Sequence, residues 1–362
     1  MSILDRVGRD LLFRLDPETA HGLSIRALKC GVVPHLPAPR DPRLAVRKCG
    51  LDFPNPLGMA AGYDKNGEVP DALLSLGFGF AEVGSITPRP QPGNPKPRIF
   101  RLPSDRAVIN RLGFNNEGHD RCAARLSARR GRGGLVGVNI GANKDSADRI
   151  GDYEEGVRRF AALGSYLTVN ISSPNTPGLR NMQARSELAE LLSRVTAARA
   201  GLASAEESAR PILLKIAPDL VEAELEDIAA EVVNHPIQGV IVSNTTISRD
   251  GLAEAALGRE TGGLSGAPLF ARSTAVLARM RRLLGPEMVL VGVGGVASAD
   301  DALEKIRAGA DLVQLYTGMI YGGPGLPARI LRDMVGALDR EGVPSVSALR
   351  DRHVERWASL PI

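Results

Sequence analysis

The sequence predicts a (β/α)8 TIM barrel, class α/β, with an N-terminal two-helix extension. Eight short apolar, β-branched segments recur along the chain, and nearly every one ends in Gly, Ser, Thr, Asn or Lys. Helical patterns separate most of them, as in strand–helix repeats. The chain has 362 residues, more than the ~250 of a typical barrel, and function in such barrels sits at the carboxyl ends of the strands. A doubly wound sheet would show the same local alternation. The count of eight and the polar strand ends favour the barrel.

The surplus length falls in three places: residues 1–50, an insertion at 88–115, and a tail after 340. Residues 3–15 read as a helix, with Ile3, Val7 and Leu11 at i, i+4 and i+8 and Leu4 and Leu12 beside them. Asp16-Pro17-Glu18 then starts a second helix, Asp16 as N-cap and Pro17 at the first helical position. Ala20, Leu23, Ala27 and Leu28 share one side of it, and Gly31 and Pro34 stop it. Such a pair is either a lid on the barrel or an amphipathic element on an anionic membrane surface.

The first three strands are residues 56–62 (P-L-G-M-A-A-G, then Y-D-K-N), 80–87 (F-A-E-V-G-S-I-T) and 135–141 (L-V-G-V-N-I-G). The fourth, at 167–171, runs into S-S-P-N-T-P-G-L-R, a rigid loop of small hydroxyls and amides. Residues 211–218 (P-I-L-L-K-I-A-P), 239–246 (G-V-I-V-S-N-T-T), 288–295 (M-V-L-V-G-V-G-G) and 312–318 (L-V-Q-L-Y-T-G) complete the set. Helical patterns cover 68–76, 152–163, 186–200, 221–233, 267–284, 298–308 and 326–338.

Composition narrows the function. Residues 1–48 hold nine Lys/Arg and five Asp/Glu, so the net charge of +4 belongs to that segment and the remainder is neutral. With aromatics at 4% and no basic patch interleaved with them, the pI near 9.1 does not indicate a nucleic-acid partner. Cys30, Cys49 and Cys122 are scattered and lack metal or disulfide spacing. No signal peptide and no apolar run of spanning length is visible.

Of the five histidines (His21, His35, His119, His235, His353), none falls at a strand's carboxyl end, and Asp64 and Asp219 are the acids there. Ser, Thr, Asn, Lys and Gly remain. They suit an uncharged or anionic ligand, with the hard chemistry supplied by an organic cofactor rather than a metal. The G-V-G-G of 292–295 and Tyr316-Thr317-Gly318 end the last two strands, where barrels hold phosphate. Lys215 interrupts a wholly apolar strand, and a buried lysine needs a counter-charge. Lys65 follows the first strand, where either a ligand or neighbouring Asp64 meets it.

Eight ordered motifs, A-A-G-Y-D-K-N-G, G-S-I-T-P-R-P-Q-P-G-N-P-K-P-R, I-N-R-L-G-F-N-N, V-N-I-S-S-P-N-T-P-G-L-R, L-K-I-A-P-D, S-N-T-T, T-G-G-L-S-G and V-G-V-G-G, resemble those of the dihydroorotate dehydrogenases. The class resembled is class 2, quinone-dependent and membrane-associated. The likeness runs over residues 1–340. It implies an FMN-dependent barrel that oxidises (S)-dihydroorotate to orotate in pyrimidine (UMP) synthesis. By motif, FMN would contact Ala61, Gly62, Lys65, Ser85, Asn139, Asn170, Lys215, Ser243, Gly266, Gly295, Tyr316 and Thr317. Substrate would meet Lys65, Asn110, Arg111, Leu112, Gly113, Phe114, Asn170, Asn175, Asn244 and Thr245, with Ser173 as catalytic base and Lys65 or Arg111 offsetting the carboxylate. The soluble classes carry cysteine in place of this serine and lack the helical pair. Tyr63 and Ser85 stand where the family commonly has leucine and threonine.

The same resemblance implies a membrane quinone as acceptor, reached beneath the N-terminal helices, at the cytoplasmic face of the cell membrane. The expected divisions are a membrane and quinone-access segment at 1–40, the FMN barrel at 41–340 and a tail at 341–362, read as a surface helix around Trp357. No metal and no obligatory protein partner is implied. The alternatives are a class 1-like enzyme using fumarate or NAD, a flavin-free sugar-phosphate isomerase barrel, and an inert phosphate-binding module.

Overall fold

A computed structural model describes residues 3–33 and 37–362, excepting the side chains of 3–7, 255 and 256. The chain opens with helices α1 (Ile3–Phe13) and α2 (Pro17–Lys29). Asp16 caps α2, its carboxylate accepting from the backbone N–H of Glu18 at 3.1 Å and Thr19 at 2.9 Å. Ala20, Ile25 and Leu28 form the buried side of α2, while Leu23 faces solvent. Leu23 therefore departs from the expected stripe, and Ile25 takes its place. The expectations for the side chains of Ile3, Leu4 and Val7, and for Pro34 and His35, fall outside what is described.

A hairpin of β1 (Val46–Lys48) and β2 (Leu51–Phe53) closes the amino-terminal end of the barrel, where the Phe53 ring meets Phe80 edge-on at 5.2 Å. Then come β3 (Leu57–Met59), α3 (Pro70–Ser75), β4 (Phe80–Ile86), β5 (Ile99–Leu102), β6 (Ala107–Asn110), α4 (Gly118–Ala128), β7 (Leu135–Ile140), α5 (Arg149–Phe160) and β8 (Tyr166–Asn170). The second half holds α6 (Arg185–Ala200), α7 (Ala205–Ser208), β9 (Ile212–Ile216), α8 (Glu222–Asn234), β10 (Gly239–Val242), α9 (Ala255–Gly258), β11 (Gly263–Gly266), α10 (Phe270–Leu284), β12 (Val289–Val293), α11 (Ala299–Arg307) and β13 (Leu312–Leu315). Helices α12 (Thr317–Gly322), α13 (Leu326–Glu341) and α14 (Val354–Ala358) follow.

Strands β3, β4, β7, β8, β9, β10, β12 and β13 form a closed parallel barrel, β13 pairing back to β3. All eight expected strands lie in it. Covered on both faces, they read as continuous apolar runs rather than alternating ones. Every residue of β9 is buried, Lys215 included.

The insertion at 88–115 is not a simple loop. Its β5 and β6 pair antiparallel, and β11 adds to β6 to make a three-stranded sheet at the mouth of the barrel. Glycine-rich β11 has no strand propensity of its own; its pairing with β6 creates it. The sheet carries α2, anchored where Arg98 donates to Glu18 at 2.7 and 3.1 Å. Arg101 lies 4.7 Å from the Phe13 ring and donates to the Leu12 carbonyl at 3.2 Å.

The C-terminal helix departs from the expected surface helix. Val354, Trp357 and Ala358 of α14 are buried, the Trp357 indole donates to Glu304 at 2.7 Å, and its ring meets Phe270 at 6.0 Å. The pattern is too short to read as amphipathic in sequence, yet long enough to seat one indole.

Candidate active site

A cavity of about 460 Å³ opens at the carboxyl ends of the barrel strands and continues beneath α1 and α2. Every residue expected to touch cofactor or substrate lines it except Asn139 and Arg111. Arg111 donates instead to Glu260 at 2.6 Å and to the Thr261 carbonyl, and stacks over Phe100 at 4.6 Å. Of the two cations expected to offset a substrate carboxylate, Lys65 lines the cavity and Arg111 does not.

Asn139 lies beneath the cavity in a buried polar network. Glu82, fully buried on β4, accepts from Asn139 Nδ2 at 2.8 Å, Tyr166 Oη at 2.9 Å and Gln314 Nε2 at 2.9 Å. Three donors converge on this one carboxylate. They also fix the Asn139 amide, whose Oδ1 accepts from the Ser85 hydroxyl and from Asn170 Nδ2 at 3.1 Å. Lys215 reaches the cavity floor with no hydrogen-bond partner among the described residues. Burial lowers its pKa, and Glu82 is the acid that opposes this. No acid adjoins Lys215 in its own strand. Glu82 was legible by the same signal, a charge inside an apolar strand.

Ser173 sits in the loop after β8. Its Oγ accepts from the Asn175 N–H at 3.2 Å, and no imidazole or carboxylate hydrogen-bonds it among the described residues. The loop is clamped from outside by Arg180, which donates to the Ser172 carbonyl at 3.0 Å, the Thr245 carbonyl at 2.9 Å and Asp219 at 2.8 Å. Within it, Ser172 donates to Asn170 Oδ1 at 2.7 Å and accepts from Asn244 Nδ2 at 2.9 Å. The Thr245 hydroxyl is buried without a partner. Its place beside Asn244 and Asn175 suits a ligand rich in amide and carbonyl edges.

Lys65 is not paired with Asp64, which is spent on the backbone N–H groups of Glu68 and Val69, each at 2.8 Å. Its Nζ meets His21 Nε2 at 3.2 Å, and burial lowers its pKa to about 8. His21 comes from α2, so a histidine does reach the active face, against the expectation from strand ends. Burial and then Lys65 push its pKa down to about 3, and the neutral ring accepts from the ammonium. Tyr316 Oη stands 3.4 Å from His21 Nδ1. Beyond this group an apolar passage runs past Leu12, Phe13, Ala20 and Leu28. On its outer side Leu11, Leu15, Leu23 and Val32 are exposed. No group of metal-ligating side chains occurs among the described residues, nor any helix long and apolar enough to cross a membrane.

The family model described as dihydroorotate dehydrogenase matches residues 43–338. The chain is 71% identical, over the full length of both, to dihydroorotate dehydrogenase (quinone) of Mesorhizobium japonicum. It is 65% identical over 98% of each chain to the protein of that name from Brucella anthropi. The crystal structure of DHODH from Eimeria tenella in complex with ferulenol superposes with a TM-score of 0.89 at 38% identity, covering 94% of this chain and 98% of that one.

Proposed function

The chain belongs to the dihydroorotate dehydrogenase family, and on that premise we propose how its own residues conduct the reaction. It oxidises dihydroorotate to orotate with a quinone as acceptor. Neither a fumarate- or NAD-linked enzyme nor a flavin-free isomerase is favoured by full-length identity to quinone-dependent relatives. The reaction belongs to pyrimidine synthesis. The observation that carries the site assignment is the convergence of Ser173, Lys65, Lys215 and the amide set on one cavity that continues into an apolar passage.

The cofactor is FMN. Lys215, buried without a hydrogen-bond partner, and the glycine-lined ends of β12 and β13 fit an anionic ring edge and a phosphate. When bound, FMN would supply a hydride acceptor for C6 of the substrate and an electron donor for the quinone. The protein's residues do the rest. Asn170, Asn175, Asn244 and Thr245 hold the ring's amide edges, and Lys65 holds its carboxylate. Ser173 takes the C5 proton. The clamp of Arg180 and Asp219 keeps that hydroxyl in place.

The quinone enters through the passage under α1 and α2. These helices lie on an anionic membrane surface at the cytoplasmic face, with Leu11, Leu15, Leu23 and Val32 toward the lipid. Residues 1–40 thus act as access segment and 41–340 as catalytic barrel. Acceptor profiling of the purified yellow protein with dihydroorotate tests the reading: quinones should serve, and fumarate and NAD should not.

Two smaller expectations follow from the lysines. Because Lys65 loses its proton around pH 8 in the free site, only the protonated form attracts the substrate carboxylate. KM for dihydroorotate should be flat below that pH and climb toward about tenfold per unit above it. A flat KM from neutral pH to well above 9 would remove Lys65 from the carboxylate. Lys215→Ala should weaken FMN retention or lower the flavin's reduction potential, since the anionic reduced ring loses its counter-charge. An unaltered flavin content together with an unaltered potential would sink that role.

A further inference from the structure

Lys305 is a fully buried lysine on α11 that neither the cavity nor the proposed reaction uses. Its ammonium donates to the Ser273 hydroxyl at 2.7 Å and lies 4.9 Å from the Phe270 ring centroid. It has no ion pair among the described residues. Asp301, one turn back on α11, acts on it only at a distance, and burial pulls its pKa well below the ordinary lysine range. An unpaired buried ammonium is costly unless an anion comes close.

The surroundings show where that anion belongs. Ser273 and Phe270 form the first turn of α10, and the loop after β12 rests directly on them. The Ser273 hydroxyl is 3.4 Å from the Gly294 carbonyl. A Cβ added to Gly294 would stand 2.7 Å from Ser273 Oγ, and one on Gly295 would stand 2.5 Å from Phe270 Cβ. Both glycines have positive φ, +113° and +76°, so the loop is pressed onto the helix in a form that only glycine allows without strain. Gly294 and Gly295 line the cavity, and Lys305 does not. The ammonium is therefore two contacts behind the loop that faces the ligand, through a Ser273 hydroxyl that also meets the Leu269 carbonyl at 2.8 Å. The C-terminal helix holds this arrangement from below, Trp357 packing on Phe270 and bonding Glu304, the neighbour of Lys305.

We propose that Lys305 is a positioning residue and buried counter-charge for the phosphate of the flavin, acting through Ser273 and the Gly294–Gly295 loop without touching the ligand. The proposal rests on the FMN reading above. In a low-dielectric setting, a unit charge at this remove still acts strongly on a dianion. It gives the C-terminal segment a role as the buttress of the phosphate end.

The test compares two flavins with the same ring, FMN and riboflavin, which lacks the phosphate. The full-length protein is loaded with each in turn, and release is read from flavin fluorescence on dilution. Lys305→Met keeps the stem and removes the charge. Lys305→Gln also removes the charge but keeps a donor for Ser273. Both variants should release FMN at roughly tenfold lower dilution than the unaltered protein and release riboflavin unchanged. If Met loosened both flavins equally and Gln restored both, Lys305 would be a structural plug and the proposal would fail. It would fail too if neither variant changed either flavin. Should Met not fold, Gln alone decides by the same ratio. Failure of the FMN reading itself would appear separately, as an unaltered protein that binds neither flavin.

Discussion

Ser173→Ala is expected to bind FMN and orotate normally and to reduce its flavin at least ~100-fold more slowly near neutral pH, the usual contribution of a positioned base. Among the described residues the hydroxyl accepts only one backbone N–H, from Asn175, and no titratable side chain hydrogen-bonds it. His21 is held neutral at the far side of Lys65, with a pKa near 3, and is a poor proton acceptor. Glu82 is locked beneath the floor by three donors. No substitute base thus stands in the loop. Anaerobic stopped-flow bleaching by dihydroorotate, with orotate binding followed in parallel, makes the measurement. Bleaching at the rate of the unaltered protein would assign proton removal to another group.

Deleting residues 1–40 should separate the two half-reactions. Every proposed flavin and substrate ligand lies at or after Ala61, so dihydroorotate should still bleach the flavin anaerobically. Its affinity should fall, because the deletion exposes Lys65, now covered by His21 at 3.2 Å, and a solvated ammonium attracts a carboxylate less. Reoxidation by a long-tailed quinone should drop on the order of tenfold or more, as the loss of burial for just two methylene groups is worth that much. A small soluble dye should still accept electrons. Binding to anionic vesicles should weaken, and in the intact protein it should diminish with added salt. The comparison is made on truncated protein that stays monodisperse and yellow. Undiminished reoxidation by the long-tailed quinone would return α1 and α2 to a purely structural lid.

Much of the fold was legible because its information is local. Each barrel strand is buried on both faces, so each wrote itself as an apolar run, and each loop chemistry followed it in the chain. Helix starts were equally local: Asp16 and Pro17 fix the first residue of α2 whatever it packs against. The first barrel helix begins at Pro70 rather than at residue 68, since proline suits the first helical position and keeps the residue before it out of the helical region. Failures came where partners are distant. Strand β11 exists through its pairing with β6, and α14 is buried because Phe270 receives its tryptophan.

The site divides along the same line. The chemistry offered at the strand ends could be read along the chain: a serine loop free of histidine, an amide set, glycines after β12, and a lysine inside β9. Side-chain type and position within a strand are local properties, so no contact map was needed. Which groups face one another came from the folded arrangement. It set Glu82 beneath Asn139 and near Lys215, and turned Arg111 away to Glu260. It also brought His21 from the extension onto Lys65, where burial shifts both groups. Closure of the barrel and docking of α2 juxtapose residues far apart in the chain, and the electric field at each group is set by that juxtaposition rather than by its sequence neighbours.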